Sequence, residues 1–462
     1  MIRIHDTLSG TKTAIPDVPK LRLFVCGPTV YDRPHIGNAR TFVAFDLFVR
    51  WLRSRRMNVF YLQNITDIDD KIIDRAKEEG IAWNTLARRY ENIFLENMNQ
   101  LGVISVDRYA RAADFIPEIV AQVKTLIEKG HAYRIEGDGW YFDITTFPEY
   151  GKLARRTAAQ AEDATSRIDA SDRKRNRGDF ALWKFPDPAR PDEPRWPSDD
   201  LGAGRPGWHI EDTAITGHFF GPQYEVHGGA MDLKFPHHEA EIAQQESASG
   251  LSPFVAIWMH SGFLTVDGAK MSKSLKNFVT IDDLLARHSA SAFRMMVFMH
   301  HYRSPLDYTE TLALNAEKNL ETLAVFAAKL GMAAGAAAPR RAFGEFEKTF
   351  HAALEDDFNT PAALAATFDY VAALQDGLFE LDPREAAAAA KGLTDLFATF
   401  GIDLTPPKIP EKAREIAARR EESRGSKQFK QSDALRNELN ALGYDIEDTP
   451  KGPFLWPRKN HS

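Results

Sequence analysis

The chain has 462 residues, 44% of them hydrophobic, which leaves room for two to four domains and at least one sizeable core; no stretch approaches the ~20 apolar residues that a membrane span requires. A net charge of -7 argues against a blanket basic surface, so any nucleic-acid contact must come from a local patch. The one cysteine, Cys26, excludes an internal disulfide and an all-cysteine zinc cluster, so a metal would have to draw on His, Asp or Glu.

The opening, MIRIHDTLSG, lacks the basic-then-apolar layout of a secretory signal, and a cytoplasmic address is expected. Leu21 to Cys26 (LRLFVC) reads as a short strand and Thr41 to Trp51 as an amphipathic helix, with a loop holding Gly27, Pro28, Pro34 and Gly37 between them. Asn58 to Ile65 is a second strand and Asp69 to Glu79 a second helix, an order that predicts a parallel α/β sheet with its site in the loops after the strands. From about Leu126 to Gly204 short aromatic strands and a Pro-rich loop look like an insertion. This stretch includes the basic run Arg173, Lys174, Arg175 and Arg177, whose plain reading is a solvated loop. The α/β pattern resumes with strands at Gln223 to His227 and Phe254 to His260 around a helix from His237 to Ser249. Beyond Ile281 the chain turns helical, as at Ala313 to Leu330 and Glu385 to Phe400. After Pro406, Pro407 and Pro410 come helices at Glu411 to Arg424 and Ser432 to Leu442 and a small apolar end, GPFLW. From Pro406 to Ser462 there are 12 Lys plus Arg against 9 Asp plus Glu, so the tail is the basic end.

Two motifs carry chemistry. The loop CGPTVYDRPHIGNAR places His35, Ile36, Gly37 and Asn38 at the start of a helix, where backbone N–H groups and the helix dipole favour a phosphate. Alone, four such residues are weak, since an N-cap loop requires similar ones. Lys270, Met271, Ser272, Lys273 and Ser274 form the second motif, a five-letter string with a chance occurrence on the order of one in several thousand for a chain this long.

In this order HIGN and KMSKS resemble the paired signature of the Rossmann-fold aminoacyl-tRNA synthetases. The resemblance implies that His35, Asn38, Lys270 and Lys273 stabilise charge on the α-phosphate of ATP, which arrives with Mg2+. Gly37, Met271 and Ser272 would complete the ATP site. CGPTVYD, NITDIDDK (64–71), RPGWHIE (205–211) and HGG followed by DLKFPHHEAEIAQ resemble the cysteinyl-tRNA synthetase family over most of the chain. That resemblance implies a zinc ion that recognises the substrate thiol, with Cys26, His237 and Glu241 as ligands and Thr66, Trp208 and His227 lining the amino-acid pocket. Zinc answers a physical problem: a hydrophobic pocket separates near-isosteres such as cysteine and serine by only ~1–3 kcal/mol, whereas zinc binds thiolate strongly. His237 and Glu241, four apart on a predicted helix, project from one face. One position departs from the family, which commonly has a second cysteine where this chain has Asp212. Asp212 is expected as the fourth ligand, giving a harder donor set with a weaker preference for zinc.

The resemblance also implies the architecture. A Rossmann-type catalytic domain (1–125 and 206–265) is split by a connective insert (126–205) and followed by a stem with the KMSKS loop (266–310), a helical bundle (311–405) and a small anticodon-binding domain (406–462). Arg419, Arg420, Lys427, Lys430 and Arg436 are expected to meet tRNA phosphates, and Trp456 to stack on a base. The expected partners are ATP, L-cysteine and tRNA(Cys), and the expected state is a monomer without a membrane. Two rivals remain. In one, a ligase passes the same adenylate to a small-molecule amine, against which the basic tail speaks. In the other, a tRNA-binding paralogue lacks turnover, against which the intact Lys270 and Lys273 speak.

Overall fold

Leu21, Leu23, Phe24 and Val25 are at most 1% exposed, the pattern of a strand covered on both faces. They form β3 (Leu21–Val25), the centre of a five-stranded sheet. The computed structural model describes residues 1–156, 171–271, 277–333 and 341–458. They fall into two units, Met1–Glu310 with Leu354–Thr360, and Thr311–Ala353 with Pro361–Ser462.

The first unit opens with a hairpin, β1 (Arg3–Asp6) and β2 (Thr11–Ala14). After β3 come α1 (Ile36–Ser54), β4 (Val59–Ile65), α2 (Asp70–Glu79), α3 (Trp83–Gln100), β5 (Arg108–Arg111) and α4 (Ile116–Glu128). An antiparallel sheet of β6 (Ala132–Ile135), β7 (Gly139–Phe142), β8 (Phe180–Lys184) and β9 (Arg205–Pro206) follows. Then α5 (Ile210–Phe220), β10 (Tyr224–Ala230), α6 (His237–Ser249) and β11 (Val255–Ser261) complete the α/β core. The central order is β11, β10, β3, β4, β5, every pair parallel. The chain leaves β3 toward β4 on one side and later fills the other side with β10. The strand order therefore reverses between β3 and β10, and the crevice beyond their C-terminal ends is where such sheets bind ligands.

A smaller sheet follows: β12 (Leu264–Val266) pairs antiparallel with β13 (Ala269–Lys270) and parallel with β14 (Leu306–Tyr308). Between them lie α7 (Ile281–Leu285) and α8 (Ala290–Phe298). Asp46 on α1, fully buried, accepts from the Ile104 and Ser105 amides, both at 3.0 Å, and pairs with Arg294 of α8 at 2.5 Å.

The second unit holds α12 (Pro383–Thr399) and all but the end residues Glu310, Leu354, Glu355 and Thr360 of α9 (Glu310–Ala333), α10 (Arg341–Glu355) and α11 (Thr360–Gln375). A compact end follows, in which α13 (Glu411–Gly425) and α14 (Phe429–Ala441) pack on a hairpin of β15 (Tyr444–Thr449) and β16 (Gly452–Pro457). The apolar end GPFLW is thus half of a sheet. Its partner strand, YDIEDT, alternates apolar with charged residues, and the pattern is too short to announce itself. Among the described residues no helix is long and apolar enough to cross a membrane.

Candidate active site and metal centre

Cys26 directly follows β3, Asp212 sits in the first turn of α5, and His237 and Glu241 lie one turn apart on α6. These elements meet at the crevice between β3 and β10. The donor atoms of Cys26, Asp212, His237 and Glu241 all lie within 4.8 Å of one another, and every one of these residues is buried. His237 Nε2 is 2.9 Å from Asp212 Oδ2 and 3.1 Å from Glu241 Oε1. A second set, Cys26, His227, His238 and Glu241, shares two of the donors. His238 Nε2 approaches Cys26 Sγ to 3.1 Å and His227 Nε2 to 3.3 Å.

The electrostatics are those of buried acids and imidazoles held toward their neutral forms. Burial, then the charges of Glu241 and Asp212, push the Cys26 thiol well above its ordinary pKa. Burial and then Asp212 do the same to Glu241, and burial holds His209, His227 and His238 well below theirs. Glu241 Oε2 and both carboxylate oxygens of Glu211 are buried without a hydrogen-bond partner. Among the described residues no Lys or Arg pairs with Asp212 or Glu241. Converging acids, an orphaned oxygen and neutral imidazoles fit a divalent cation, whose arrival would remove the cost of burying them.

Among the groups that orient the donors, sequence reading assigned no role to His209, His260, Thr7, Tyr224 or Asn64. His237 Nδ1 bonds His209 Nδ1 at 2.9 Å, and the Trp208 ring stacks on His237 at 4.4 Å. His238 Nδ1 meets His260 Nε2, and His260 Nδ1 meets Thr7 Oγ1, both at 2.8 Å. His227 Nδ1 meets the Tyr224 hydroxyl at 2.7 Å. With each Nδ1 engaged, each Nε2 is the nitrogen left for a cation. Asn64 donates to Asp212 Oδ1 at 2.5 Å and to Thr66 Oγ1 at 3.3 Å, which sets Thr66 beside these donors. The HH doublet at His237 and His238 was the one signal in sequence that pointed to a second histidine.

The HIGN motif lies beside the described start of KMSKS. The predicted helix at Thr41 starts earlier, at Ile36, because His35 and Asn38 form a capping box: Gly37 N donates to His35 Nδ1 at 3.1 Å, and His35 N to Asn38 Oδ1 at 3.3 Å. Burial lowers the His35 pKa. The neutral ring, accepting at Nδ1, therefore carries its proton on Nε2, and Asn38 keeps its amide N–H pair uncommitted among the described residues. Ile36 N donates to Val279 O and Ile281 N to Pro34 O, both at 3.1 Å, so the first motif pairs with the segment just after the second. A Cβ on Gly37 would reach 3.0 Å from Met271 Cε. Lys270 is exposed at the end of β13. Ser272 and Lys273 lie outside the described residues.

In the C-terminal segment Arg419, Lys427, Lys430 and Arg436 are exposed. Arg420 is corrected: 2% exposed, it holds Asp448 through both carboxylate oxygens at 2.5 and 3.0 Å, which commits it to the fold rather than to a phosphate. Arg424 pairs with the same carboxylate. Trp456 is half-buried, stacked on Phe454 at 5.9 Å with Nε1 donating to Glu321 Oε1 at 3.2 Å. The large exposed aromatic is instead Phe429, 65% exposed between Lys427 and Lys430, which sequence reading passed over. In the insert, Arg173 and Arg175 pair with Asp138 and Asp143, both at 3.2 Å.

Known proteins share this plan. Residues 14–318 match the family described as tRNA synthetases class I (C) catalytic domain, and residues 349–405 match the DALR domain. A Mycobacterium tuberculosis methionyl-tRNA synthetase in complex with methionyl-adenylate is similar in fold, with a TM-score of 0.58 at 16% identity, covering 83% of this chain and 90% of that one. An Agrobacterium radiobacter LeuRS from a ternary complex with tRNA reaches 0.64 at 12% identity, covering 83% and 84%. Fold and catalytic domain are those of the class I aminoacyl-tRNA synthetases. Cysteine–tRNA ligases of Symbiobacterium thermophilum and Thermococcus gammatolerans are 40% and 41% identical, each over 99% of this chain and 99% of their own length. That of Halorhodospira halophila is 41% identical over 98% of both. The chain belongs to the cysteine–tRNA ligase family.

Proposed function

We propose that the chain activates L-cysteine with ATP to give cysteinyl adenylate and pyrophosphate, then passes the cysteinyl group to the 3′-terminal ribose of tRNA(Cys). The observation that carries this reading is the nest of Cys26, Asp212, His237 and Glu241 at the same sheet crevice as the capped N-terminus of α1. When bound, the cation, which we assign as zinc, supplies a Lewis acid that favours a thiolate over a serine hydroxyl. Cys26, Asp212, His237 and Glu241 would hold it, with His227, Thr66 and Trp208 around the substrate side chain. The substrate carboxylate attacks the α-phosphorus, the bond to the β-phosphate breaks, and pyrophosphate leaves with Mg2+. His35 through Nε2–H, Asn38 through its amide, and Lys270 and Lys273 neutralise the charge that grows on the phosphates. No enzyme-bound covalent intermediate is needed.

The DALR match and the exposed Lys427, Phe429 and Lys430 favour tRNA over a small amine as acceptor. We place the protein in the cytoplasm, acting as a monomer. The test is ATP–pyrophosphate exchange and tRNA aminoacylation, with cysteine and serine side by side and zinc measured on the same preparation. Cysteine-dependent exchange with about one zinc per chain is expected. Equal turnover of serine, or full activity without metal, would sink the reading.

A further inference from the structure

Arg40 lies on α1 two residues beyond Asn38 and is 2% exposed. A buried guanidinium ordinarily has a carboxylate partner, because leaving water costs several kcal/mol. Among the described residues Arg40 has none, and its pKa falls to about 10 through burial, which still leaves it charged at neutral pH. Its hydrogen bonds go to four backbone carbonyls. Nη1 donates to Gly262 O and, at 2.9 Å, to Phe263 O; Nη2 donates to Ser304 O and, at 3.2 Å, to Tyr302 O.

Those carbonyls belong to two segments with a shared task. Gly262 and Phe263 immediately precede β12, and Ser304 precedes β14. The segments also hold each other, through Gly262 N to Tyr302 O at 2.8 Å and Leu306 N to Phe263 O at 2.9 Å. From the far side Asp357 accepts from the Tyr302 hydroxyl at 2.8 Å and from Arg303 Nε at 2.9 Å. One planar fork thus grips the root of the sheet whose outer strand, β13, carries Lys270. Beside it, Thr41 Oγ1 bonds Ser261 Oγ at 2.8 Å.

We propose that Arg40 is a positioning residue for adenylate formation, clamping the root of the Lys270 hairpin to the helix that presents His35 and Asn38. Lever arithmetic gives the clamp its value. Lys270 pairs with Thr265, two residues beyond Phe263, or roughly 7 Å along the strand. A tilt of ~10° at the root moves the lysine by about 1 Å, enough to cost up to ~100-fold where catalysis rests on placement. Four carbonyls require a flat, five-donor group; a lysine carries the charge but cannot span both segments. Gly262 leaves space for the close approach: a Cβ there would lie 2.4 Å from Ser304 O and 2.6 Å from Arg303 O.

The proposal rests on the reading of Lys270 as a partner of the triphosphate, and the test separates the two. In cysteine-dependent ATP–pyrophosphate exchange, Arg40→Lys should lower kcat/KM for ATP by about 10- to 100-fold. Cysteine affinity without ATP and metal content should stay within about threefold of the parent. Gly262→Ala, which strains the same root while keeping Arg40, should give the same signature. Unchanged ATP kinetics in a folded Arg40→Lys enzyme, or ATP and cysteine parameters that fall together in step with the melting temperature, would overturn the clamp. Lys270→Ala is the control: a loss confined to ATP upholds the underlying reading, and wild-type ATP kinetics would remove it and the clamp's purpose with it.

Discussion

Asp70 and Glu241 are carboxylates taken largely out of water, 18% and 0% exposed, and the chain treats them in opposite ways. Asp70 receives Lys184 at 3.0 Å and Arg190 and Arg205, each at 2.6 Å. Burial alone would raise its pKa, but the three cations outweigh it and hold Asp70 at about 2. Glu241 has a thiol, imidazoles and a second carboxylate for neighbours, and burial pushes it far up. The first cluster is finished by the protein and ties the insert to the start of α2. On the proposed reading the second is finished only when a cation arrives from outside, which is what separates a structural ion-pair network from a binding site.

The largest test of that contrast is Cys26→Ala. It should abolish stoichiometric zinc and lower cysteine-dependent pyrophosphate exchange by roughly 1000-fold or more, since the thiol-recognising ion goes with it. A variant that kept metal and turnover would erase the distinction between the clusters. Asp70→Asn should do the reverse, leaving metal content alone while costing about 2–3 kcal/mol in urea unfolding at pH 7, because Lys184, Arg190 and Arg205 lose the carboxylate they share. The pH sign follows from the depressed pKa. Asp70 contributes about 2 kcal/mol above pH 4, where its unfolded form is also ionised, and that stability disappears as pH falls toward 2. Unfolding curves of the Asp70→Asn protein should lack that part of the acid loss. Next in size is Asp212→Cys, which restores the family's softer donor. Chelator competition should show zinc held about 10- to 100-fold more tightly, and Asp212→Asn should shift it the other way. Equal affinities in all three would remove Asp212 from the ligand set.

What could be read in advance follows the reach of each signal. Helix α6, His237–Ser249, begins and ends where its sequence pattern does, because Pro236 and Gly250 punctuate it locally. Strand β3 and the loop after it are equally local. The Asp70 cluster was invisible, since Lys184, Arg190 and Arg205 come from a Pro-rich insert more than 100 residues away, and charge pairs leave no periodicity. His260 and Thr7 were missed for the same reason: their link to His238 exists only after β1, β11 and α6 pack. Arg40 falls in sequence at the end of the CGPTVYDRPHIGNAR string, just before the helix predicted from Thr41; only the carbonyls around it reveal what it does. Trp456 drew attention for its chemistry, yet the β15 and β16 hairpin uses it for packing.

The same division between satisfied and unsatisfied groups recurs at the C-terminal end, where effects should be smallest. Asp448 is met by Arg420, Arg424 and, at 3.9 Å, Arg436, so its depressed pKa, set by the Arg420 hydrogen bond against burial, belongs to the fold. Phe429, 65% exposed among lysines, stacks on no other ring among the described residues, and an unstacked RNA base is the partner its face suits. Phe429→Ala should raise the tRNA KM for aminoacylation about 5- to 10-fold, the low end of the range for an exposed stacking ring, while pyrophosphate exchange stays at the parent level. Trp456→Ala, by contrast, removes the bond to Glu321 and the stack on Phe454 and should act by lowering the melting temperature. If Trp456→Ala weakened tRNA without loosening the fold while Phe429→Ala changed nothing, the exposed ring would be surface alone, and the half-buried one would be the base's partner.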